Sequence, residues 1–162
     1  MRTLFAVDVQ PEFALGEKGC TLYKKLVKLI ENKNKRYNRV VLSMYVNKDN
    51  TNMQTKVHYF ELQHPELHLP KDLETHWHSG YCPLTMPKFG KDEHVDVVGF
   101  DTDACVLATA YHLFDNDIDF SILVDGVYSS GGDAMHSHGL AIMFRQFGEV
   151  VNIETTVDSL LE

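Results

Sequence analysis

The sequence predicts an α/β fold, a doubly wound and mostly parallel sheet covered by helices on both faces in three layers. Apolar runs at Thr3–Val7, Arg39–Tyr45, Val95–Gly99, Phe120–Val124 and Glu149–Ile153 alternate with helical spacing over about Thr21–Lys35, Ala104–Asp115 and Ala134–Phe147. The runs are apolar at successive positions, which suits strands buried on both faces. Strands and helices in strict alternation imply right-handed crossovers, and these wind a parallel sheet.

Each element has its own reason. Thr3–Val7 is a short unbroken apolar run that ends at Asp8, a residue suited to a turn. The Thr21–Lys35 pattern ends in the basic patch Lys33 to Arg39, where cations suit the carboxyl end of a helix dipole. Val95–Gly99 continues to Phe100 and is followed by Val106, Ala110, Leu113 and Phe114 at helical spacing, so that Cys105 opens a helix. Gly131 and Gly132 make a turn before the last helix; with no strand-GxGxxG-helix arrangement, they carry no dinucleotide site. Residues 46–94 are rich in Asn, His, Lys and Pro with little periodicity beyond Val57 to Leu62, and read as a long excursion over the carboxyl edge of the sheet, of the length usual for a binding loop or lid.

Composition bounds the function. A chain of 162 residues with 44% hydrophobic positions makes one domain, residues 1–162, with a real core. Net charge of −8 disfavours nucleic acid as a partner. No stretch is apolar enough to span a membrane, and the opening MRTLFAVDVQ has an acid inside its apolar run, so neither signal peptide nor anchor is expected. Cys20, Cys82 and Cys105 are an odd set without metal spacing, which points to free thiols, a reducing compartment and a cytoplasmic protein.

In an open α/β sheet, ligands bind at the carboxyl ends of the strands, and both Asp8 and Cys105 follow strands there. A cysteine at a helix start meets unpaired N–H groups and the positive end of the dipole, so the expected thiol is reactive, with a lowered pKa. The plainer alternatives are a small buried Cys105 and an Asp8 that only bonds loop backbone. Asp101 and Asp103 are expected to cap the helix through its first-turn amides.

Two segments taken together resemble the isochorismatase-like cysteine hydrolases. Leu4-Phe5-Ala6-Val7-Asp8-Val9-Gln10-Pro11-Glu12-Phe13 matches the family's opening strand and Asp-x-Gln-x-x-Phe signature. Gly99, Thr102, Cys105 and Val106 match its Gly-x-x-Thr-x-x-Cys-Val turn, and the likeness continues through Asp125, Ser129 and His138. The resemblance implies a hydrolase that cleaves a small carbonyl substrate, an amide, through a thioester on Cys105, with Asp8 handling the proton. It implies a charge-stabilising lysine, matched by Lys88 with Lys91 as a weaker substitute, and an oxyanion site from the backbone N–H groups of Asp101 and Cys105. With that oxyanion site goes a cis peptide between Phe100 and Asp101. Phe13, Tyr45 and His138 would line the substrate pocket, and the chain would form a homo-oligomer that needs no cofactor.

Two departures stand out. Only Phe89 to His94 separate Lys88 from the cysteine strand, whereas a parallel crossover takes a dozen or more residues. Tyr45, Val46 and Asn47 stand where the family's nicotinamidase branch has its metal-binding Asp and His pair, so no metal is expected, and His76-Trp77-His78, His58, His64 and His68 are weak ligand candidates. Two rival functions remain: vinyl-ether hydrolysis of the isochorismate type, whose enzymes lack the cysteine, and a noncatalytic binding or scaffold protein that keeps the fold.

Overall fold

Strand alternation sorts the core into two layers. In the computed structural model, which describes residues 1–32, 36–57, 69–70, 72–82 and 87–162, the first strand β1 (Arg2–Val7) sends Leu4 and Ala6 into one apolar cluster and Phe5 and Val7 into another on the opposite face. Successive side chains of a strand point to opposite faces, so a run of apolar residues must be covered twice.

Helix α1 (Gly16–Glu31) covers the first face with Leu22, Leu26, Leu29 and Ile30, a single stripe at helical spacing. The short α4 (Val157–Leu161) packs beside it through Val157 and Leu160. Helices α2 (Cys105–Asp115) and α3 (Asp133–Phe147) cover the second face, with Val106, Ala110 and Leu113 from α2 and Met143 from α3. Phe5 is fully buried there, and replacing such a residue by alanine costs about 3–5 kcal/mol.

Strands β2 (Arg39–Tyr45), β3 (Glu74–His78), β4 (His94–Phe100), β5 (Asp119–Tyr128) and β6 (Val151–Asn152) complete a six-stranded sheet in the order β3-β2-β1-β4-β5-β6. Every pair in it is parallel. The α/β sandwich expected from the alternation is therefore the fold. Among the described residues, no helix is long and apolar enough to cross a membrane.

Two expectations are corrected. The excursion over residues 46–94 contains an edge strand, β3, whose sequence Glu74-Thr75-His76-Trp77-His78 has no apolar run because its outer side is half exposed. It is pinned to β2 at its start by a two-pronged ion pair, Arg39 Nε to Glu74 Oε2 at 2.8 Å and Nη2 to Oε1 at 2.6 Å. The link to β4 is thus residues 79–93, long enough for a crossover. The apparent shortage arose from ending the preceding strand at Lys88. His58, His64 and His68 lie outside the described residues.

Candidate active site

The carboxyl ends of β1, β3 and β4 bring three side chains together. Asp8 follows β1, His78 ends β3, and Cys105 opens α2 just after β4. One donor atom from each, a carboxylate oxygen, a ring nitrogen and the sulfur, lies within 4.8 Å of the others. All three are buried, Asp8 with no exposure at all.

Local sequence explains how they meet. Gly99 has φ of +123°, and a Cβ there would stand 1.9 Å from the Val7 carbonyl oxygen. Only glycine lets β4 run this close to β1 beside the site. The peptide bond between Phe100 and Asp101 is cis, as the resemblance implies. On the far side of the turn, a Cβ on Gly139 of α3 would come within 2.8 Å of Thr102 and Asp103 backbone atoms, so α3 rests directly on the turn that leads into Cys105.

Asp8 also has positive φ, and its backbone N–H donates to the Ser43 carbonyl at 2.8 Å. Its Oδ1 is 2.7 Å from His78 Nε2, while Oδ2 is buried and accepts no hydrogen bond. The other His78 ring nitrogen, Nδ1, is 2.6 Å from the Gly80 carbonyl oxygen. Gln10, the second residue of the opening signature, clamps the end of β2: its Nε2 donates to the Tyr45 carbonyl at 3.0 Å and its Oε1 accepts from the Tyr45 N–H at 2.7 Å.

Burial foremost, then the Asp8 charge, holds the Cys105 thiol well above the ordinary cysteine pKa. Asp101 adds to the rise through its charge, and its backbone N–H opposes it. This overturns the expected low-pKa thiol, because desolvation beside two carboxylates outweighs the helix start. For His78, burial presses the pKa down, but the Asp8 charge and hydrogen bond raise it beyond the ordinary histidine value.

Lys88 is not brought to this cluster. Its side chain is exposed, and its carbonyl accepts a 3.1 Å hydrogen bond from Arg39 Nη1. Arg39 begins β2, so Lys88 sits at the amino edge of the sheet, a strand's length from Asp8 and Cys105. Lys91 follows in the turn just before β4, at that same edge.

The pocket residues also differ from expectation. Phe13 and Tyr45 are fully buried and stack in sequence, Phe13 edge-on to Tyr45 at 6.1 Å and Tyr45 edge-on to His78 at 5.6 Å. They form the wall behind His78 instead of an open surface. His138 is exposed on α3; the histidine that reaches the turn is His136, whose Nδ1 lies 2.8 Å from Thr102 Oγ1. Asp101 and Asp103 do not cap α2, which has no side-chain cap. Asp101 accepts from Ser130 N–H at 2.7 Å and Ser130 Oγ at 2.6 Å, and Asp103 accepts from Ser129 Oγ at 2.5 Å. These bonds tie the turn before Cys105 to the end of β5.

An open cavity of about 580 Å³ adjoins the turn, lined by Tyr81, Asp101, Asp103, Ala104, Leu107, Tyr111, Ser130 and Met135 among others. Its walls are largely apolar and aromatic, with a few polar groups beside the turn before Cys105, which is the make-up of a small-molecule site.

His78 is the residue that sequence reasoning missed. It appeared only as half of a His-x-His pair, and no apolar pattern marked β3 as a strand whose end would reach the site. The β-favouring Thr75 and Trp77 between charged or histidine neighbours were the one available signal.

Comparison with known proteins agrees with this architecture. The isochorismatase domain model matches residues 88–155. An isochorismatase-like hydrolase from Alkaliphilus metalliredigens shares the fold with a TM-score of 0.74 at 18% identity, over 97% of this chain and 95% of that one. A nicotinamidase from Bacillus subtilis gives 0.69 at 17% identity, over 93% and 97%. A zinc complex of the Pyrococcus horikoshii pyrazinamidase gives 0.67 at 19%, over 89% and 94%. A comparison with curated protein sequences gives no match.

Proposed function

Starting from an isochorismatase-like chain with an isochorismatase domain over residues 88–155, we propose that it is a cysteine hydrolase that cleaves a small amide through a thioester on Cys105. One observation carries the reading: a buried cysteine at a helix start lies directly beside the buried Asp8 carboxylate. Similarity in fold to a nicotinamidase and a pyrazinamidase supports an amide as substrate.

The steps follow from the arrangement. The Cys105 sulfur attacks the carbonyl carbon while its proton passes to Asp8 Oδ2, since a resting thiol needs a base at the moment of attack. The carbonyl oxygen, now an oxyanion, is met by the backbone N–H groups of Asp101 and Cys105, the first of which already points its influence at the sulfur. Collapse of the tetrahedral intermediate breaks the C–N bond, and Asp8 returns its proton to the departing nitrogen. Water, deprotonated by Asp8, then attacks the thioester; the acid leaves and the thiol is restored. None of these steps calls for a cofactor.

The three free cysteines and a mechanism dependent on a reduced sulfur suit a cytoplasmic protein. Exposed Tyr111 and Phe114 on α2 with Ile142 and Phe144 on α3 support self-association.

A screen of small amides and ureides with ammonia release as readout tests the reading. Activity that falls by at least 10³-fold in Cys105→Ala, on the scale of losing a nucleophile, is the expected result. Turnover equal in the two proteins would exclude the thioester route, and a wild type inert to every compound would favour the scaffold.

A further inference from the structure

Both ring nitrogens of His78 face oxygen atoms, and the two oxygens cannot both be satisfied by a neutral ring beside an ionised carboxylate. The Gly80 carbonyl at 2.6 Å can only accept, so Nδ1 carries a hydrogen. Nε2, 2.7 Å from Asp8 Oδ1, is then an acceptor in a neutral imidazole. Two acceptors at that distance repel unless a proton lies between them. At 2.7 Å no water fits between them, and both residues are buried, His78 5% and Asp8 0% exposed.

We propose that His78 is the cation of this site, a positioning imidazolium paired with the Asp8 carboxylate beside Cys105, in the role expected of Lys88. The inference rests on the hydrolase reading for its purpose, though not for its geometry. When the Cys105 proton moves to Asp8 Oδ2, the carboxylate becomes neutral and a thiolate forms. The imidazolium, one of whose ring nitrogens lies within 4.8 Å of the sulfur, is then the counter-charge. Site charge is balanced before and after the transfer. With a neutral residue in place of His78, the same transfer would leave an uncompensated anion in a buried site, which is costly.

The groups facing His78 agree with this assignment. Asp8 after β1 and Cys105 on α2 are described above; Tyr45 on β2 presents its ring, with its hydroxyl turned to Asn47 Oδ1 at 2.7 Å. Asp101, next to the sulfur, adds negative charge. No lysine or arginine among the described residues is bonded to Asp8. A histidine cation differs from a lysine in one measurable respect: it is lost at lower pH, so the alkaline limit of activity reports which residue supplies the charge.

Side-chain 15N NMR of the histidines tests the protonation state directly, with Asp8→Asn to assign the His78 signal. Two protonated-type nitrogens for His78 at neutral pH are expected in wild type, and a pyridine-type Nε2 would overturn the proposal. Kinetics supply the second arm. His78→Lys is expected to keep kcat within about tenfold and to move the alkaline limit of kcat/KM upward, because an ordinary lysine stays charged to about pH 10. His78→Gln, which keeps a hydrogen bond to Asp8 without the charge, is expected to lose about 10²–10⁴-fold. Full activity in His78→Gln would overturn it. If instead Cys105→Ala stays active, the hydrolase reading falls while the 15N result still decides the charge of His78.

Discussion

Tyr45 and His78 close the carboxyl ends of two neighbouring strands in direct register, and their rings meet edge to face at 5.6 Å. The pairing of β2 with β3 therefore decides where the His78 ring stands. The Val46 N–H, which donates to the His78 carbonyl at 2.8 Å, at one end and the Arg39–Glu74 pair at the other hold that register. A one-residue slip of β3 would turn His78 to the other face of the sheet.

Lys88 stands at the amino edge, so Lys88→Met is expected to leave turnover unchanged within about twofold, as surface substitutions commonly do. Steady-state rates on any substrate found in the amide screen check this. A large loss in kcat with the fold intact would return the lysine to the site.

Thiol accessibility gives an independent check on the resting state. Cys20 is exposed, whereas Cys105 is buried with its pKa pushed up. Iodoacetamide at neutral pH is expected to modify Cys20 first and Cys105 slowly, with Cys105 gaining reactivity as pH rises. Mass mapping over a time course measures the order. Cys105 leading at pH 7 would mean that a thiolate is present before substrate arrives.

At the opposite edge, His94 lies 3.2 Å from the buried Asp96 and 2.8 Å from Asp119, and the Asp96 hydrogen bond raises its pKa above the ordinary value. Its contribution to stability is fully present below the unfolded pKa of about 6.5 and is lost as pH rises through the raised folded value. Denaturant midpoints of wild type and His94→Gln are therefore expected to differ most near pH 5.5 and to converge toward pH 9. A gap that stays constant or widens with pH would contradict the sign.

With exposed aromatic and aliphatic residues on α2 and α3, self-association at micromolar concentration is the expected outcome. Light scattering should give a mass above 18.5 kDa, and Phe114→Glu, placing a charge on a residue with 53% exposure, should lower it. A monomer at every concentration would sink this expectation.

The features legible in the chain alone are local or periodic. The strands around Phe5, Val41, Val97 and Ile122 were legible because burial on both faces demands unbroken apolar runs. The helix stripe Leu22, Leu26, Leu29 and Ile30 was legible as well, although α1 begins earlier than its periodicity suggests. Asp8 and Cys105 follow strands whose direction is set by the parallel topology, so their shared edge could be read before any coordinate. His78 could not be read in this way: β3 is a half-exposed edge strand, and its place beside β2 comes from pairing between residues far apart in the chain. The thiol pKa was decided by tertiary structure too. A helix start favours a thiolate, but only packing buries the sulfur beside Asp8 and Asp101, and desolvation there is the larger effect. Lys88 fell on the wrong edge for the same reason: a lysine near a strand in sequence says nothing of which end of the sheet it occupies until the neighbouring strand, here β2 through Arg39, fixes it.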